Sequence, residues 1–458
     1  MFGTQGFRGI ANETLTPTVV ELLGRALSGF LGGKGTVAIA WDSRTSSEML
    51  SQAVSAGIMA GGCDIRQLGL VPTPMLSFAV PRLSCSAGVM VTASHNPPEF
   101  NGIKLWRRDG ASFTSEDEQR VEGDYFAARK PDVPWSQCGR LLATEDLRPR
   151  YIDELTRQVN ADSIRRRRIR VVADCGGGAA SVVAPEILEH VGCEVERLHC
   201  APDGLFRGRP PEPREENLSK LIQRVREKDA DLGVAWDGDA DRTVFVTHKS
   251  RYLMGDRSFA LAACHRLQVV DDPPKIIVTQ VATSDVIRDV AEAVGAKIVL
   301  TRVGEPNIVA TMKKTNARIG GEENGGVIYR NWSWTREGML TPLVILDLMA
   351  REDQSLEQLD HRFPSYAQMK DSLPCEERDK ARLLDRVVAM APIDAERDTL
   401  DGVKLRYTDG WLLLRPSGTE PIFRVFAEAK TTTRAKALAQ MGIRLVHDAQ
   451  AEIITTRN

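Results

Sequence analysis

Short apolar runs, each followed by a polar loop and an amphipathic segment, repeat three times along the chain. Each unit opens with a run rich in β-branched residues, continues as a helical pattern that ends near glycine, and closes with a second strand-like run. The opening runs lie at 36–40, 169–173 and 275–279, and the closing runs lie at 64–68, 194–198 and 297–300. Because parallel strands need a crossover connection, such units favour a mostly parallel sheet covered by helices. The pattern predicts three similar α/β domains.

The pattern changes after about Pro364. A helical segment is followed by strand-like runs at 403–407 and 411–414, joined by an Asp-Gly turn, then by a strand at 423–426 and a long final helix. Strands joined by tight turns pair antiparallel, so this part predicts an α+β domain. The predicted fold class is α/β, with three similar α/β/α domains that have mixed sheets, and a C-terminal α+β domain. The expected domain boundaries are 1–149, 150–252, 253–364 and 365–458.

Composition narrows the class of protein. The chain has 458 residues, of which 42% are apolar and 27% charged, and its net charge is −2. This balance is typical of a globular protein and predicts no general attraction to nucleic acid or to an anionic membrane. No apolar stretch approaches the length of a membrane span, and the amino terminus lacks the pattern of a signal peptide. The basic run 165–168 directly precedes a predicted strand, and we interpret it as the solvated start of that strand.

The cysteine pattern bears on the cellular compartment. The chain has eight cysteines, and none falls in a C-x-x-C pair. Scattered single cysteines are typical of reduced core thiols, so the sequence predicts a cytoplasmic protein.

The loop 92–98 carries the first candidate for chemistry. It follows a β-branched apolar run and contains a strong Asn-Pro breaker, so Ser94 would lie at the carboxyl edge of a sheet. In α/β sheets this edge is where ligands bind. With His95 beside it and Lys104 ten residues on, an exposed Ser94 hydroxyl could act as a nucleophile or phosphate carrier. The alternative interpretation is a capping loop before a helix.

A second candidate is the alternating acidic stretch Asp237, Asp239 and Asp241, which follows the apolar run 232–235. In an extended backbone these side chains point the same way, and three crowded carboxylates repel one another unless a cation neutralises them. Hard oxygen ligands favour Mg²⁺. A calcium-binding EF-hand loop is excluded because its sixth position would be Arg242 instead of glycine. A solvated acidic turn remains the alternative.

Three further loops are weaker candidates when each is taken alone. The loop 415–421, with Arg424 after it, offers guanidinium, hydroxyl and backbone N–H groups suited to a phosphate monoester, although it is also a generic turn. The glycine-bracketed loop 320–326 offers carboxylate and amide groups suited to sugar hydroxyls, or is a linker. The amino-terminal segment 3–9 places Arg8 where it could reach an anion, or is a frayed terminus.

Together these candidates predict chemistry on a sugar phosphate in a cleft between domains. A serine, a three-carboxylate metal site, a sugar-compatible loop and a phosphate clamp fall one on each of the four predicted domains. P-loop and dinucleotide-binding signatures are missing from the sequence, and Ser94 does not lie in a G-x-S-x-G motif.

The five segments 3–9, 92–97 with Lys104, 237–242, 321–326 and 415–421, in this order, resemble the α-D-phosphohexomutase superfamily. The resemblance covers essentially the whole chain and implies four domains around a central cleft. It implies that Ser94 is carried as a phosphoserine and exchanges its phosphoryl group with a sugar monophosphate through a sugar bisphosphate. The cofactors implied are Mg²⁺, held by Ser94, Asp237, Asp239 and Asp241, and a sugar 1,6-bisphosphate as priming activator.

The resemblance also implies roles for other residues. Lys104 is the candidate general acid/base, Arg8 and Arg242 are charge stabilisers, and His95 supports the loop. The expected substrate-binding residues are Arg302, Glu322, Asn324, Arg415, Ser417, Gly418, Thr419 and Arg424.

Two positions depart from the pattern of relatives: many bacterial relatives have histidine where this chain has Gly326, and several relatives have histidine where it has Glu305. Both departures resemble the archaeal branch of the superfamily, whose members act on different sugars. The amino-terminal motif resembles phosphoglucosamine mutases, so interconversion of glucosamine 6-phosphate and glucosamine 1-phosphate is the main hypothesis. The alternatives are phosphoglucomutase, phosphomannomutase or phosphopentomutase activity and, from another class, a non-catalytic sugar-phosphate-binding protein or a magnesium-dependent phosphatase. The expected partners are small-molecule sugar phosphates, and the expected state is a monomer or homodimer.

Overall fold

The structure is a computed structural model, and it describes residues 6–127, 133–269, 273–392, 395–418 and 420–455. It contains four β-sheets, one after another along the chain. The predicted fold class, three α/β/α domains with mixed sheets and a C-terminal α+β domain, is confirmed. Among the described residues, no helix is long and apolar enough to span a membrane.

The first domain consists of β1 (Phe7–Ile10), α1 (Pro17–Phe30), β2 (Thr36–Trp41), α2 (Ser47–Ala60), β3 (Asp64–Leu70), α3 (Thr73–Arg82), β4 (Ala87–Val91), β5 (Phe100–Arg107), α4 (Ser115–Phe126) and β6 (Leu141–Leu142). Its strands are ordered β1-β5-β4-β2-β3-β6. β2 runs parallel to β3 and β4, whereas β5 is antiparallel to β4 and β1. All of β4 is buried, as its β-branched valines predict, and the loop after it carries Ser94.

The second domain consists of α5 (Arg148–Thr156), α6 (Ala161–Arg167), β7 (Arg170–Asp174), α7 (Ala184–His190), β8 (Glu194–Leu198), α8 (Ser219–Glu227), β9 (Leu232–Trp236), β10 (Thr243–Thr247) and β11 (Tyr252–Leu253). Its strand order is β11-β10-β9-β7-β8, with β7 parallel to β8 and β9 and with β10 antiparallel to β9. The turn between β9 and β10 holds the three aspartates.

One local prediction in this domain was wrong. The basic run 165–168 does not start a strand. Three of its arginines form the last turn of α6, and Arg168 ends the helix in the left-handed conformation with φ 50°. Cations at a helix carboxyl end are stabilised by the exposed carbonyl groups there, which accounts for the placement.

The third domain consists of α9 (Gly255–Val269), β12 (Ile276–Gln280), α10 (Val286–Val294), β13 (Lys297–Thr301), α11 (Glu305–Thr315), β14 (Ile319–Gly321), β15 (Val327–Tyr329), α12 (Leu340–Glu352) and α13 (Leu356–Asp360). Its strand order is β13-β12-β14-β15, with β12 parallel to β13 and β14. Gly295 ends α10 with φ 65°, the left-handed conformation that glycine adopts readily. The loop between β14 and β15 carries the predicted sugar-binding residues.

The fourth domain consists of β16 (Ala367–Pro374), α14 (Lys380–Met390), β17 (Glu396–Asp398), β18 (Val403–Tyr407), β19 (Gly410–Pro416), β20 (Ile422–Ala429) and α15 (Thr432–Thr455). Every pairing in the order β16-β20-β19-β18-β17 is antiparallel, as predicted. The loop between β19 and β20 carries the predicted phosphate clamp.

The buried apolar clusters connect the first three domains with one another more closely than with the fourth. One buried cluster runs through the first three domains, from Ala38 to Leu359. The fourth domain has its own cluster, and a small group that includes Val281, Trp411 and Phe426 joins it to the third domain. The first three domains are therefore packed around a shared interior, while the fourth is attached at one face.

Candidate active site

Ser94 lies in the loop after β4 in a conformation that only its surroundings can maintain. Its φ is 53°, in the left-handed region that is disfavoured for serine, and its N–H donates to Thr92 Oγ1 at 2.8 Å. Its hydroxyl donates to Asp237 Oδ2 at 2.8 Å and lies 3.4 Å from His95 Nδ1. The prediction that the hydroxyl is exposed was wrong, because the aspartate turn of the second domain covers Ser94 and leaves it buried.

Hydrogen bonds from Arg44, a residue that the sequence analysis missed, hold the loop in place. Its guanidinium donates to the carbonyl oxygens of Ser94 at 2.9 Å and Asn96 at 2.7 Å, and also to those of Pro97 and Phe100. Asp42 Oδ2 accepts from Arg44 Nε at 3.0 Å, and neither side chain is exposed. A buried arginine that satisfies four carbonyl groups fixes the path of the loop. The signal available in the sequence was the Asp-x-Arg pattern directly after β2.

The three aspartates converge, but on a turn and not on the extended backbone that was predicted, since Ala240 has a φ of 59° and its N–H donates to the Asp237 carbonyl oxygen at 3.2 Å. Asp237, Asp239 and Asp241 are fully buried, and one carboxylate oxygen of each lies within 4.8 Å of the others. Gly238 allows this turn to approach the serine loop, since a Cβ atom there would lie 2.4 Å from the Ser94 carbonyl oxygen. The metal-loop side chains and the serine hydroxyl therefore form one compact group.

Cations balance part of this negative charge. Lys104 Nζ, on β5, donates to Asp239 Oδ2 at 2.7 Å and lies 3.5 Å from Asp241 Oδ2. Thr73, at the start of α3, donates its hydroxyl to the same Asp239 oxygen at 2.8 Å. Burial acts to raise the pKa of Asp239, but the charge of Lys104 and its hydrogen bond outweigh burial and hold that pKa well below its ordinary value.

The residues present fit a divalent cation. Burial, together with the neighbouring Asp241 and Asp239, raises the pKa of Asp237 to about 8, which is the expected result when carboxylates are crowded without a metal. Within the described part of the chain, Asp239 Oδ1 and Asp241 Oδ1 are buried without a hydrogen-bond partner. Buried carboxylate oxygens beside a serine hydroxyl form the hard donor set that Mg²⁺ prefers.

A second group of cations surrounds Ser94. Arg8 Nη1 donates to Asn96 Oδ1 at 2.5 Å, and Arg242 Nε lies 3.9 Å from Asp237 Oδ2. The charge of Arg242 and burial, followed by the charges of Arg8 and Lys104, lower the pKa of His95 well below its ordinary value. Burial and then Arg242 lower the pKa of Arg8 to about 10. Cations that disfavour one another's charge indicate a place for an anion such as a phosphate.

The predicted sugar loop joins this group through Arg336, which sequence reasoning also missed. Glu322 is buried and accepts a hydrogen bond from Arg336 Nη1 at 2.7 Å. Arg336 Nη2 donates to Asp241 Oδ2 at 2.5 Å, so one side chain connects the third domain to the metal loop. Asn324, which is half-buried, uses its Oδ1 to accept the N–H of Gly326 at 3.1 Å within its own loop.

The predicted phosphate clamp lies on the fourth domain, next to Arg302 of the third. Arg415 Nε donates to Asp401 Oδ2 at 3.2 Å, and the same oxygen accepts the N–H of Val303 at 2.9 Å. Arg302 Nε donates to the Leu400 carbonyl oxygen at 3.1 Å. Arg302 and Arg415, both predicted to bind substrate, therefore lie on loops that meet at residues 400–401.

The rest of the clamp is local to the turn between β19 and β20. Ser417 Oγ accepts the N–H of Glu420 at 3.2 Å, and Arg424 pairs with the Glu420 carboxylate. Gly418 is exposed, while Thr419 and residues 3–5 of the predicted amino-terminal motif 3–9 lie outside the described residues. Lys380 Nζ donates to the Ser417 carbonyl oxygen at 2.6 Å and thereby supports the turn.

Comparison with known proteins covers the whole chain. Residues 1–132, 149–250 and 254–366 match the alpha/beta/alpha domains I, II and III of the phosphoglucomutase/phosphomannomutase family, and residues 373–444 match its C-terminal domain. A "Phosphoglucomutase/phosphomannomutase" of Thermococcus kodakarensis is 38% identical over 454 residues, which are 98% of this chain and 99% of the relative. A "Probable phosphoglucosamine mutase" of Methanopyrus kandleri is also 38% identical, over 459 residues and 99% of each chain.

A solved structure supports the same assignment. The crystal structure of a phosphoglucomutase/phosphomannomutase family protein from Burkholderia thailandensis superposes with a TM-score of 0.86 at 27% identity, and covers 98% of this chain and 97% of its own. Sequence, domain order and fold agree over the full length. The chain therefore belongs to the phosphoglucomutase/phosphomannomutase family of the α-D-phosphohexomutase superfamily, and it is an isomerase of the phosphohexomutase class.

Proposed function

We propose that this chain interconverts a sugar 6-phosphate and a sugar 1-phosphate by passing a phosphoryl group through Ser94, with glucosamine phosphate as its substrate. The observation that carries the proposal is the buried Ser94 hydroxyl, 2.8 Å from Asp237 Oδ2, within a group of three carboxylates and surrounding cations. A phosphoryl group on this oxygen would lie beside Arg8, Arg242 and Lys104. Such a site can stabilise the charge that develops during phosphoryl transfer.

The first transfer breaks the bond between phosphorus and Ser94 Oγ and forms a bond between phosphorus and a sugar oxygen. Lys104 is the general acid/base candidate, and the proton that the sugar hydroxyl loses passes to it. The product is a sugar bisphosphate, which turns over in the cleft. Ser94 Oγ then attacks the other phosphate, and the departing sugar oxygen recovers the proton from Lys104. Mg²⁺ held by Ser94, Asp237, Asp239 and Asp241 would supply electrophilic stabilisation of the serine oxygen.

The remaining residues bind and orient the substrate. Glu322 and Asn324 form hydrogen bonds with the sugar hydroxyls, because a carboxylate accepts hydrogen bonds and an amide both accepts and donates them. Arg8 and Arg242 hold the phosphoryl oxygens near Ser94, and His95 stays neutral among these cations and supports the loop. The non-reacting phosphate is held by Arg302, Arg415, Ser417, Gly418, Thr419 and Arg424. A sugar 1,6-bisphosphate would also prime the enzyme by phosphorylating Ser94.

Sugar identity is the finer part of the proposal. The relatives from Thermococcus kodakarensis and Methanopyrus kandleri are equally identical to this chain, and their names point to different hexoses. Glucosamine phosphate is the main candidate because the amino-terminal motif 3–9 resembles that of phosphoglucosamine mutases, and glucose or mannose phosphate is the second. A non-catalytic binding role is disfavoured by the intact group of Ser94, Lys104 and the aspartates.

Substitution Ser94→Ala tests the mechanism. We expect mutase activity to fall by roughly a thousandfold or more, because the phosphoryl carrier is removed. Intact-protein mass spectrometry should show a phosphoryl group on the wild-type chain after treatment with a sugar bisphosphate, and none on the variant. Ser28→Ala is a matched control, since Ser28 is equally buried in the first domain but donates only to the Ile58 carbonyl oxygen among its described contacts. A Ser94→Ala enzyme with normal turnover would refute the mechanism.

A substrate panel tests sugar identity. The bisphosphate-primed enzyme should be compared on glucosamine, glucose, mannose and ribose phosphates. We expect the highest kcat/KM for glucosamine phosphate. A higher value for glucose or mannose phosphate would establish the second candidate, and release of free phosphate without isomerised product would identify a phosphatase.

A further inference from the structure

One buried guanidinium lies among three carboxylates that come from two loops and from the start of α11. Arg336 contacts Asp241 Oδ2 at 2.5 Å, Glu322 Oε2 at 2.7 Å and Glu305 Oε2 at 3.0 Å. Its side chain is 5% exposed, and none of the three carboxylates is more than 5% exposed. Asp241 belongs to the metal loop and Glu322 to the sugar loop, so Arg336 is a direct physical connection between them.

The surroundings of Arg336 are built to hold it in this position. A Cβ atom at Gly326 would lie 2.3 Å from Arg336 Cδ, so glycine at that position leaves the path of the arginine open. Glu305 is itself oriented by Ser112 Oγ at 3.1 Å and Thr335 Oγ1 at 2.9 Å. Gly326 and Glu305 thus both lie against this one side chain.

The position of Arg336 also affects the charge available to a metal ion. Asp241 Oδ2 is 2.5 Å from Arg336 Nη2 and 3.5 Å from Lys104 Nζ, so its charge is already largely matched by cations. A divalent ion at the aspartates must share that oxygen with the guanidinium or displace it. Metal binding and the position of Glu322 are therefore linked through the same side chain.

We propose that Arg336 is a positioning residue that aligns the sugar loop with the metal loop and, by sharing Asp241, weakens Mg²⁺ binding in the absence of substrate. The positioning part rests on the proposed mutase function. The effect on metal binding depends only on the residues described above.

The test uses Arg336→Gln and Arg336→Lys in the full-length protein, with Mn²⁺ as a spectroscopic substitute for Mg²⁺. For Arg336→Gln without substrate, electron paramagnetic resonance titration should show Mn²⁺ binding about three- to tenfold tighter than wild type, since a competing cation is lost. Turnover should fall by about a hundredfold, with a raised KM for the sugar phosphate, because Glu322 is no longer held. Mn²⁺ binding should thus become stronger while turnover becomes slower, whereas general damage to the site would weaken Mn²⁺ binding and slow turnover together.

Arg336→Lys separates charge from geometry. Lysine keeps the positive charge but cannot bridge two carboxylates with a planar fork, so Mn²⁺ affinity should return towards wild type while turnover stays low. Arg266→Gln is the control: Arg266 lies in the same domain, donates to the Gln158 carbonyl oxygen at 2.8 Å and packs over the Tyr329 ring. This variant should leave Mn²⁺ affinity and turnover unchanged.

Unchanged or weaker Mn²⁺ binding in Arg336→Gln would overturn the proposed effect on the metal. Normal turnover and KM in both Arg336 variants would overturn the positioning role. If the wild-type protein has no mutase activity, the proposed function fails, but the Mn²⁺ titration still decides the charge competition. Thermal unfolding of each variant shows that it is folded, and Arg336→Lys provides the comparison if Arg336→Gln does not fold.

Discussion

At the residue scale, the site depends on buried arginines whose partners are backbone carbonyls or carboxylates. Arg44 fixes the serine loop, and Arg336 connects the metal and sugar loops. Both make several hydrogen bonds in fixed directions, which the planar guanidinium allows and an ammonium group does not. Replacing either residue should therefore alter geometry as well as charge.

Substitution Arg44→Met removes the guanidinium that donates to four carbonyl oxygens and to the Asp42 carboxylate. We expect the free energy of unfolding to fall by about 3–5 kcal/mol, because a buried ion pair is broken and one charge remains. Turnover should fall by about a hundredfold in the protein that stays folded, since Ser94 is misplaced. Denaturant unfolding and steady-state kinetics measure the two effects.

Arg157→Met is the control for this prediction. Arg157 forms an exposed ion pair with Asp153 at 2.5 Å, and such pairs contribute about 0–1 kcal/mol. If Arg44→Met were as stable and active as Arg157→Met, the scaffold role of Arg44 would be wrong.

At the element scale, each group of site residues lies on a loop that follows a buried strand. Ser94 follows β4, the aspartates follow β9, and Glu322 follows β14. The strands are rigid because they are buried and paired, and the loops carry polar groups to one edge of each sheet. The close approach of two such loops is limited by backbone atoms as well as by side chains.

Substitution Gly238→Ala tests that close approach. The new methyl group would lie 2.4 Å from the Ser94 carbonyl oxygen, so the aspartate turn must move away from the serine loop. We expect kcat to fall at least tenfold, because displacements near 1 Å at a reacting centre cost about a hundredfold. Gly123→Ala is the control, since its added Cβ meets no atom within 4 Å and alanine favours the α4 helix. Equal kcat in the two variants would contradict the prediction.

Lys404, on strand β18, should make the stability of the protein depend on pH. Lys404 Nζ donates to the Val281 carbonyl oxygen at 2.6 Å, and burial, followed by the charge of Arg406, lowers its pKa from 10.5 to about 7. Between these two values the unfolded chain holds a proton that the folded chain has lost. The contribution of Lys404 to stability is therefore present at high pH and is lost as the pH falls towards 7.

The measurement compares wild type with Lys404→Met in denaturant unfolding at several pH values. Between pH 7 and pH 9, we expect the free energy of unfolding to rise by about 1–2 kcal/mol more for wild type than for the variant. Parallel pH profiles for the two proteins would show that the pKa of Lys404 is not lowered.

At the scale of the whole molecule, the fourth domain is attached to the third by polar contacts and a small apolar group. Arg406 makes two hydrogen bonds of 3.0 Å to Asp285, and the contacts of Arg302 and Val303 with residues 400–401 lie nearby. The fourth domain carries the proposed phosphate clamp, so its orientation should control substrate binding more than chemistry at Ser94.

Substitution Asp285→Asn weakens this attachment. We expect KM for the sugar phosphate to rise about three- to tenfold with little change in kcat, because the clamp is less often in its binding position. Asp146→Asn is the control, since Asp146 makes two similar hydrogen bonds to Arg148 on an exposed surface just before α5. A lower kcat with unchanged KM would contradict the assignment of substrate binding to the fourth domain.

Much of the fold could be predicted from local pattern. The β-branched runs that became β2, β7 and β12 are short, strongly apolar and bounded by turn residues, and glycine marks the helix end before β13. The aspartate spacing indicated that the three carboxylates would converge, but it predicted an extended backbone where the structure has a turn with Ala240 at φ 59°. The basic run 165–168 was misassigned because charged residues are compatible with either a helix end or a solvated strand.

Other features of the site could not be predicted, because they depend on residues far apart in the chain. Ser94 is buried by a turn more than a hundred residues away, at Asp237. Arg336 meets Asp241 across 95 positions, and nothing in the sequence around it indicates a buried guanidinium. Such contacts are set by how domains pack, and hydrophobic periodicity carries no information about them.

The division of the buried apolar clusters between domains determines which parts of the molecule can move separately. Because one apolar interior spans the first three domains and the fourth has its own, local unfolding and rigid-body movement should divide the chain into two cooperative units. The larger unit contains the serine, aspartate and sugar loops, and the smaller contains the phosphate clamp. If the proposed clamp holds one phosphate, we expect the protein to release that end of the substrate by moving a single domain, while the loops around Ser94 keep their packing.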